Sequence, residues 1–246
     1  MNESRYHAAV FGATSAIATE ILRSIATERS AFLLLIGRDA QKLETLATDL
    51  RTRGADCETL ALNVLDPDID WSHHLGSRVW DLFLLAHGSL PDQQATLSNG
   101  VSIAREISIN FTSHTVIAAA CTTILEKQQR GTLAVIGSVA GDRGRQSNYL
   151  YGSAKAGIET FMAGLRHHFA ANKDIHTVLL KPGMTDTPMT ADLPKGPLFS
   201  PADKVGRLAW KAIRKGKAVA YLPGWWSLVM LIIRSVPGFV FHKTKL

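Results

Sequence analysis

The chain has 246 residues, of which 46% are hydrophobic and 20% charged, and its formal net charge is +6. This length suits a single α/β domain with a large core, and the positive charge favours anionic ligands or surfaces without indicating a nucleic-acid partner. No uninterrupted apolar run reaches the ~18 residues of a membrane-spanning helix. Cys57 and Cys121 lack the spacing of a metal or disulfide motif, so we expect reduced thiols in a cytoplasmic protein.

A strand, a turn of small residues and a helix open the chain. The apolar stretch 6–11 runs directly into GATSAIA, after which apolar residues recur at helical spacing. The amides of such a turn and the N-terminus of the helix favour an anionic pyrophosphate, so this unit predicts a dinucleotide site. The hydroxyls either bind phosphate or cap the helix. The candidate cofactor-binding residues are Gly12, Thr14, Ser15, Ala16 and Ile17.

The end of the second predicted strand, residues 31–36, bears on the choice of dinucleotide. In dinucleotide folds a carboxylate at this place binds the ribose 2′-hydroxyl of NAD, whereas an arginine accommodates the 2′-phosphate of NADP. Arg38 follows the strand here, so NADP(H) is favoured over NAD(H). Asp39 leaves two alternatives open, since it is either a ribose ligand or the cap of the next helix, which Gly54 closes.

Strand and helix patterns then alternate to the end of the chain. This alternation predicts a doubly wound Rossmann fold, with a mostly parallel central sheet flanked by helices, over residues 1–223. An apolar and basic tail, 224–246, follows. The segment Ser200–Asp203 predicts a capping box with Pro201 in the first helical position. The other predicted strands are 59–64, 80–86, 132–136, 176–180 and 219–222, and the long helices are 100–128 and 149–172.

Three polar residues meet at the carboxyl edge of the predicted sheet. Ser138 comes just after a buried strand, and Tyr151 and Lys155 are four residues apart on one face of the next helix. Moving a phenol pKa from about 10 to about 7 takes roughly 4 kcal/mol, which one charge about 4 Å away provides at an effective dielectric near 20. We therefore expect Lys155 to make Tyr151 a general acid towards a carbonyl oxygen that Ser138 also binds.

The order Ser138, Tyr151, Lys155 resembles the catalytic signature of the short-chain dehydrogenase/reductase family. The resemblance implies an NAD(P)-dependent enzyme that interconverts a ketone and a secondary alcohol. The chain departs from the family's Thr-Gly-x-x-x-Gly-x-Gly turn, since Gly12 is kept but Phe11, Ala16 and Ala18 stand at the other positions. Those alanines leave open a non-catalytic NADP-binding sensor or scaffold.

The resemblance assigns further residues to the cofactor. Asn63-Val64 stands where the family often has Asp-Val against the adenine, and Ala86-His87-Gly88 stands where Asn-Asn-Ala-Gly lines the ribose. His87 is either functional or a packed residue with a satisfied ring. The segment that begins at Pro182-Gly183 resembles the one that holds the nicotinamide, through backbone groups and threonines, here Thr185 and Thr187. A proline-rich stretch, 188–200, is the expected substrate lid.

Asn110 lies inside the predicted helix 100–128, where asparagine is unfavourable. In the family, an asparagine here lets the helix open around a water that relays protons to the catalytic lysine. His114, one turn later, is expected to face a neighbouring subunit, in keeping with a homo-oligomer. The adjacent His73 and His74 diverge on a helix and no other ligand has metal spacing, so we expect surface residues and no metal site.

The last 23 residues contain two tryptophans, a short apolar run and several cations. Two interpretations compete, because the tail either packs on a second subunit or lies in a membrane interface through Trp225, Trp226 and the cations Arg234, Lys243 and Lys245. The second would place the protein at the inner face of the membrane.

Three features are similar to one branch of the family: Ala-His-Gly after the fourth strand, the sequence GDRGRQSNY before the catalytic tyrosine, and the tryptophan-rich tail. Those reductases partner a flavin oxidase in epimerising polyprenylphosphoryl ribose to arabinose. The resemblance implies a lipid-linked 2-keto sugar as substrate, with Arg143 and Arg145 as candidate ligands of its phosphate. The alternative substrate is a small or acyl-carrier-bound ketone.

Overall fold

The computed structural model describes residues 5–76 and 78–244. Seven parallel strands form the main sheet in the order β3-β2-β1-β4-β5-β6-β9, and two short strands, β7 and β8, pair separately. Successive strands are added in one direction from β1 to β3 and in the opposite direction from β4 onwards, as in a doubly wound fold. The strands are β1 (Tyr6–Phe11), β2 (Ala31–Gly37), β3 (Asp56–Ala61), β4 (Leu82–Leu85), β5 (Gly131–Ile136), β6 (Ile175–Pro182), β7 (Thr185–Asp186), β8 (Ser200–Pro201) and β9 (Val219–Leu222).

Helices cover both faces of this sheet. Residues from α1, α2 and α8 form one apolar core with the sheet, and residues from α3, α6 and α7 form the other. The central strands are therefore buried on both sides, which explains continuous apolar runs such as β2. The helices are α1 (Ala16–Glu28), α2 (Ala40–Thr52), α3 (Trp71–Leu75), α4 (Gln93–Leu97), α5 (Gly100–Ile107), α6 (Ser113–Gln128), α7 (Tyr149–His168), α8 (Ala202–Arg214), α9 (Trp226–Ser235) and α10 (Gly238–Phe241).

The predicted Rossmann fold is confirmed, but several boundaries are corrected. Strand β3 lies about three residues earlier than predicted, because its largely exposed edge position gives no continuous apolar run. The predicted cap of α8 is also wrong. Pro201 is the N-cap residue, no side chain caps the helix, and Ser200 instead pairs with Thr185 in the small sheet.

The segment from Gly100 to Gln128 is the one helix of the described residues that is long and apolar enough to cross a membrane, with a mean hydropathy of 1.2. A core helix of a soluble protein meets the same test. Here the inner face of this helix, including Ile117, Cys121 and Leu125, is fully buried in the second apolar core.

A buried ionic cluster joins the sheet to the loop after β5. Lys181, at the end of β6, forms ion pairs with Asp142 and Glu159, and the side chains of Lys181 and Asp142 are 3% and 0% exposed. The Tyr221 hydroxyl donates to the second Asp142 oxygen over 2.7 Å. The cluster therefore ties together the β5–α7 loop, helix α7 and strands β6 and β9.

The tail is packed on the domain. Trp226 and Met230 of α9 are buried with Val139 in a small separate core. The opposite face of α9 and most of α10 are exposed and largely apolar; the exposed side chains are Trp225, Leu228, Leu231, Ile232, Phe239 and Val240.

Candidate active site

A cavity of about 700 Å³ opens at the carboxyl ends of the parallel strands, beside β1 and β4, after which the chain continues on opposite faces of the sheet. This is the place at which open α/β sheets bind their ligands, and the volume is in the range of small-molecule sites. All the predicted cofactor residues line it, together with Ser138, Tyr151, Lys155 and Arg145. The cofactor candidates are Gly12, Thr14, Ser15, Ala16, Ile17, Arg38, Asn63, Val64, Ala86, His87, Gly88, Pro182, Gly183, Thr185 and Thr187.

The three residues of the predicted trio lie together in the wall of the cavity. The Lys155 side chain is buried, and its Nζ donates to the Ile136 carbonyl over 3.2 Å and lies 5.6 Å from the centroid of the Tyr151 ring. The Ser138 hydroxyl oxygen accepts the Ala140 N–H at 3.1 Å, which fixes the serine at the start of the loop. A hydroxyl, a phenol and an ammonium are thereby held together.

The expectation that Lys155 lowers the pKa of Tyr151 is wrong for this structure. Burial raises the pKa of Tyr151 to about 12, and the hydrogen bond with Ser138 only partly offsets this. Burial also lowers the pKa of Lys155 to about 8. Desolvation dominates both shifts because burial removes water from the charged form of each group. Tyr151 therefore keeps its proton at neutral pH, as an acid must before it donates.

Asn110 lies in a π-helical turn, Ser108–Thr112, that joins α5 to α6. Its Oδ1 accepts the Ser89 N–H at 3.1 Å, and its Nδ2 donates to the Ser89 hydroxyl and the Glu106 carbonyl. The expected opening of the helix is observed, since a π turn widens the backbone ladder by one residue. Asn110 is buried behind Gly88 and does not line the cavity.

The turn after β1 requires glycine despite the alanines that follow. Gly12 has a φ of +75°, and a Cβ there would lie 2.5 Å from the backbone nitrogen of His87. Ser15 is the N-cap of α1 but makes no side-chain capping hydrogen bond, and the first turn carries no acidic residue. The free amides and the hydroxyl of Ser15 are therefore available to an anion, which fits the pyrophosphate of a dinucleotide.

The two alternatives for Asp39 are resolved. Its side chain caps α2 by accepting the Lys42 N–H at 3.0 Å. Arg38 lines the cavity with an exposed side chain, whereas Asp39 is not among the residues that line it. Asn63 turns the chain after β3 by accepting the Leu65 N–H at 3.2 Å.

His87 and His114 form a stacked pair, with ring centroids 3.8 Å apart. Since the Ser113 hydroxyl donates its hydrogen to the Ile109 carbonyl, His87 Nε2 must donate to Ser113, over 2.9 Å. His87 Nδ1 is then an acceptor, and it has no partner among the described residues. One of the two ring nitrogens of His87 is therefore hydrogen-bonded, and the other is not, within the described part of the chain. Burial, then the charges of Lys155 and Arg38, lower its pKa to about 3, so His87 stays neutral.

The prediction that His114 faces a neighbouring subunit is wrong. The side chain is 1% exposed and lies inside the protein against His87. The period of the long helix shifts at the π turn, which turns the residues after it towards the core. His73 and His74 lie at the surface as predicted, and no cluster of metal-ligating residues occurs in the described part of the chain.

Of the two arginines predicted to bind a substrate phosphate, one lines the cavity and the other does not. Arg143 does not line the cavity, because its guanidinium donates to main-chain carbonyls of the tail and stacks on Phe241 at 3.8 Å from the ring centroid. Its assignment to a substrate phosphate is therefore corrected. Arg145 lines the cavity, half-buried, and its Nε has no partner among the described residues.

Sequence reasoning missed Trp226, Glu106 and Asn148, which also line the cavity. Glu106 precedes Asn110 by one helical turn, a spacing that could have indicated their contact. Trp226 belongs to the tail, and only its position soon after the last strand of the sheet could have suggested that it returns to the site.

Lys155 allows a stability test on the cofactor-free protein. Its pKa is lower in the folded chain than the ordinary value of 10.5, so folding is penalised below pH 8 and the penalty disappears as pH rises to 10.5. Lys155→Met should therefore raise the free energy of unfolding at pH 7 by about 3 kcal/mol, with a gain that shrinks towards pH 10. Urea unfolding at both pH values measures this. Exposed Lys173→Met is the control, and an unchanged or lower stability of Lys155→Met at pH 7 contradicts the account.

Sequence comparison agrees with this geometry. Residues 6–197 match the family described as short chain dehydrogenase. An uncharacterized oxidoreductase of Streptomyces coelicolor is 29% identical over 242 residues, which cover 95% of this chain and 94% of the relative. A 3-oxoacyl-acyl-carrier-protein reductase of Bos taurus is 28% identical over 191 residues, which cover 75% of this chain and 78% of the relative.

Solved structures share the fold. A short-chain dehydrogenase from Sphingobium yanoikuyae in complex with NADPH has a TM-score of 0.78 at 20% identity, covering 95% of this chain and 97% of its own. A bulky-bulky ketone specific alcohol dehydrogenase from Comamonas testosteroni has a TM-score of 0.76 at 19% identity, covering 95% of each chain. The family match spans more than half of the sequence, so this chain belongs to the short-chain dehydrogenase family and is an NAD(P)-dependent oxidoreductase.

Proposed function

We propose that the enzyme interconverts a ketone and a secondary alcohol with NADP(H), and that Ser138, Tyr151 and Lys155 handle the substrate oxygen and its proton. The observation that carries the proposal is the shared cavity, which is lined both by this trio and by the Gly12 turn. The trio also argues against a non-catalytic sensor, which would have no use for a buried lysine beside a phenol.

In the reduction, the bound cofactor supplies a hydride to the carbonyl carbon. Ser138 holds the carbonyl oxygen, and the Tyr151 hydroxyl donates its proton to that oxygen as negative charge develops on it. The Lys155 ammonium stabilises the phenolate that remains, at short range and away from bulk water. Asn110 keeps the helix open beside Gly88, behind the lysine.

Removal of the phenol oxygen tests the acid. Tyr151→Phe should lower kcat for ketone reduction by about 10²- to 10⁴-fold, the contribution of a positioned general acid, while the Kd of NADPH stays near wild type. Steady-state rates and a fluorescence titration measure the two. Tyr149→Phe, an exposed tyrosine on the first turn of the same helix, is the matched control. If Tyr151→Phe keeps more than about a tenth of the rate, the barrier has risen by less than about 1.4 kcal/mol, which contradicts the assignment.

Arg38 supports the choice of NADP(H). It lines the cavity, whereas the carboxylate beside it is engaged as a helix cap. The structurally similar short-chain dehydrogenase from Sphingobium yanoikuyae was solved in complex with NADPH.

Arg38→Ala should therefore weaken NADPH binding by about 10- to 100-fold, the loss of a charge-assisted hydrogen bond, and leave NADH nearly unaffected. Titration with both cofactors measures the difference. Lys42→Ala, an exposed cation on the next helix, should change neither Kd. Equal losses for the two cofactors in Arg38→Ala would show that the arginine does not read the 2′-phosphate.

We further propose that the substrate is a 2-keto sugar linked through phosphate to a polyprenyl chain, which a flavin oxidase would supply. Arg145 leaves a guanidinium N–H without a partner at the cavity, and Met184, Met189 and Leu193 give the opening an apolar border. The exposed apolar face of the tail, flanked by Arg234 and Lys243, suits peripheral contact with an anionic bilayer. Lys245 lies outside the described residues. The relative from Bos taurus favours an acyl-carrier-bound ketone as the alternative.

A polyprenyl phosphate on the keto sugar should raise kcat/KM at least about tenfold, and Arg145→Ala should remove most of that gain because a buried charge-assisted hydrogen bond is lost. Arg145→Lys, which keeps the charge without the planar fork, should retain part of it. Sedimentation with phosphatidylglycerol vesicles should fall with added salt and on deletion of residues 224–246.

No gain from the lipid phosphate would refute the lipid-linked substrate. Higher activity on an acyl-carrier-bound ketone would support the alternative. Dissociation of an oligomer on deletion of the tail, without vesicle binding, would assign the exposed face to a second subunit.

A further inference from the structure

Trp226 of the tail forms part of the catalytic cavity. It is 2% exposed and lies at the start of α9, yet its indole lines the same cavity as the catalytic trio. A Cβ added to Gly183 would lie 1.9 Å from the indole ring. The ring therefore occupies the space of a side chain on the segment after β6, and the two residues form a single surface.

The inner face of α9 also contacts the residue that follows the catalytic serine. Trp226 and Met230 pack with Val139 in one small core, and Val139 is also at the cavity. This side of the cavity is consequently apolar, with Met184 nearby on the same border.

Arg143 holds the other end of the helix. Its Nη1 donates to the carbonyls of Ile233 and, over 2.6 Å, Val236, which lie in and just after the last turn of α9. Carbonyls at a helix C-terminus lack partners within the helix, and a cation there also interacts favourably with the helix dipole. The same guanidinium stacks on Phe241, so one side chain fixes both tail helices.

We propose that α9 is the fixed wall of the substrate compartment, with Trp226 as a residue that determines ketone size and Arg143 as the residue that positions it. This rests on the proposed ketone reduction. The ligand class is a ketone whose larger substituent lies against the indole. An indole in contact with Gly183 closes space that a smaller side chain would leave to the substrate.

The experiment compares aryl alkyl ketones from acetophenone to hexanophenone, with NADPH, in the full-length enzyme. Trp226→Ala should raise kcat/KM for the longest ketone relative to the shortest at least tenfold, and Trp226→Phe should stay near the wild-type ratio because a ring remains. Leu228→Ala, on the exposed face of the same helix, should leave the ratio unchanged.

Arg143→Ala tests the positioning role without altering the wall itself. It should move the ketone ratio in the same direction, leave the Kd of NADPH within about twofold, and speed amide hydrogen exchange over residues 226–241. Arg234→Ala, an exposed arginine on the same helix, should change none of the three.

An unchanged ratio in Trp226→Ala, with ketone turnover intact, overturns the specificity role. Unchanged exchange in Arg143→Ala overturns the positioning role. A wild-type enzyme that reduces no ketone overturns the proposed function and with it the specificity role, whereas hydrogen exchange still decides whether Arg143 holds the helix.

Discussion

The buried ammonium of Lys155 is the constraint on which the site depends. Its side chain is almost fully withdrawn from water, and among the described residues its Nζ donates to one carbonyl, that of Ile136. Such a group is tolerated only where rigid surroundings prevent it from reaching solvent. Strand β5, the first turns of α7 and the packed residues beside Asn110 provide those surroundings. The stability that this buried charge is expected to cost fits the proposed catalytic role, since active sites often trade stability for function.

Much of the fold could be predicted because its signals are local. Continuous apolar strands, the Gly12 turn and the spacing of Tyr151 and Lys155 each report one element, and the parallel sheet brings their carboxyl ends to one edge. Asn110 was also informative, since an unfavourable residue in a helix coincides with the π turn. The place of Arg38 at the cavity also follows from its position after β2, without tertiary information.

The remainder depends on contacts between residues far apart in the chain. Arg143 looked like a loop cation available to a phosphate, but its partners lie about ninety residues later, in carbonyls that no side-chain pattern reveals. The spacing of Tyr151 and Lys155 indicates a lowered tyrosine pKa because it reveals the nearby charge, whereas the burial that raises the pKa depends on residues far apart in the chain. His114 was assigned to the wrong side because the π turn changes the helical period before it.

The ion cluster of Lys181, Asp142 and Glu159 has a consequence for anyone who wishes to redesign the enzyme. The loop between β5 and α7 invites exchange with loops of relatives, since it borders the substrate side of the cavity. Asp142, however, lies inside that loop and neutralises a lysine that belongs to the sheet. A transplanted loop without a carboxylate at this position would leave Lys181 with Glu159 alone of its two carboxylate partners, and would remove the acceptor of the Tyr221 hydroxyl hydrogen bond. An exchanged loop must therefore keep a carboxylate at position 142 before its effect on substrate choice can be tested.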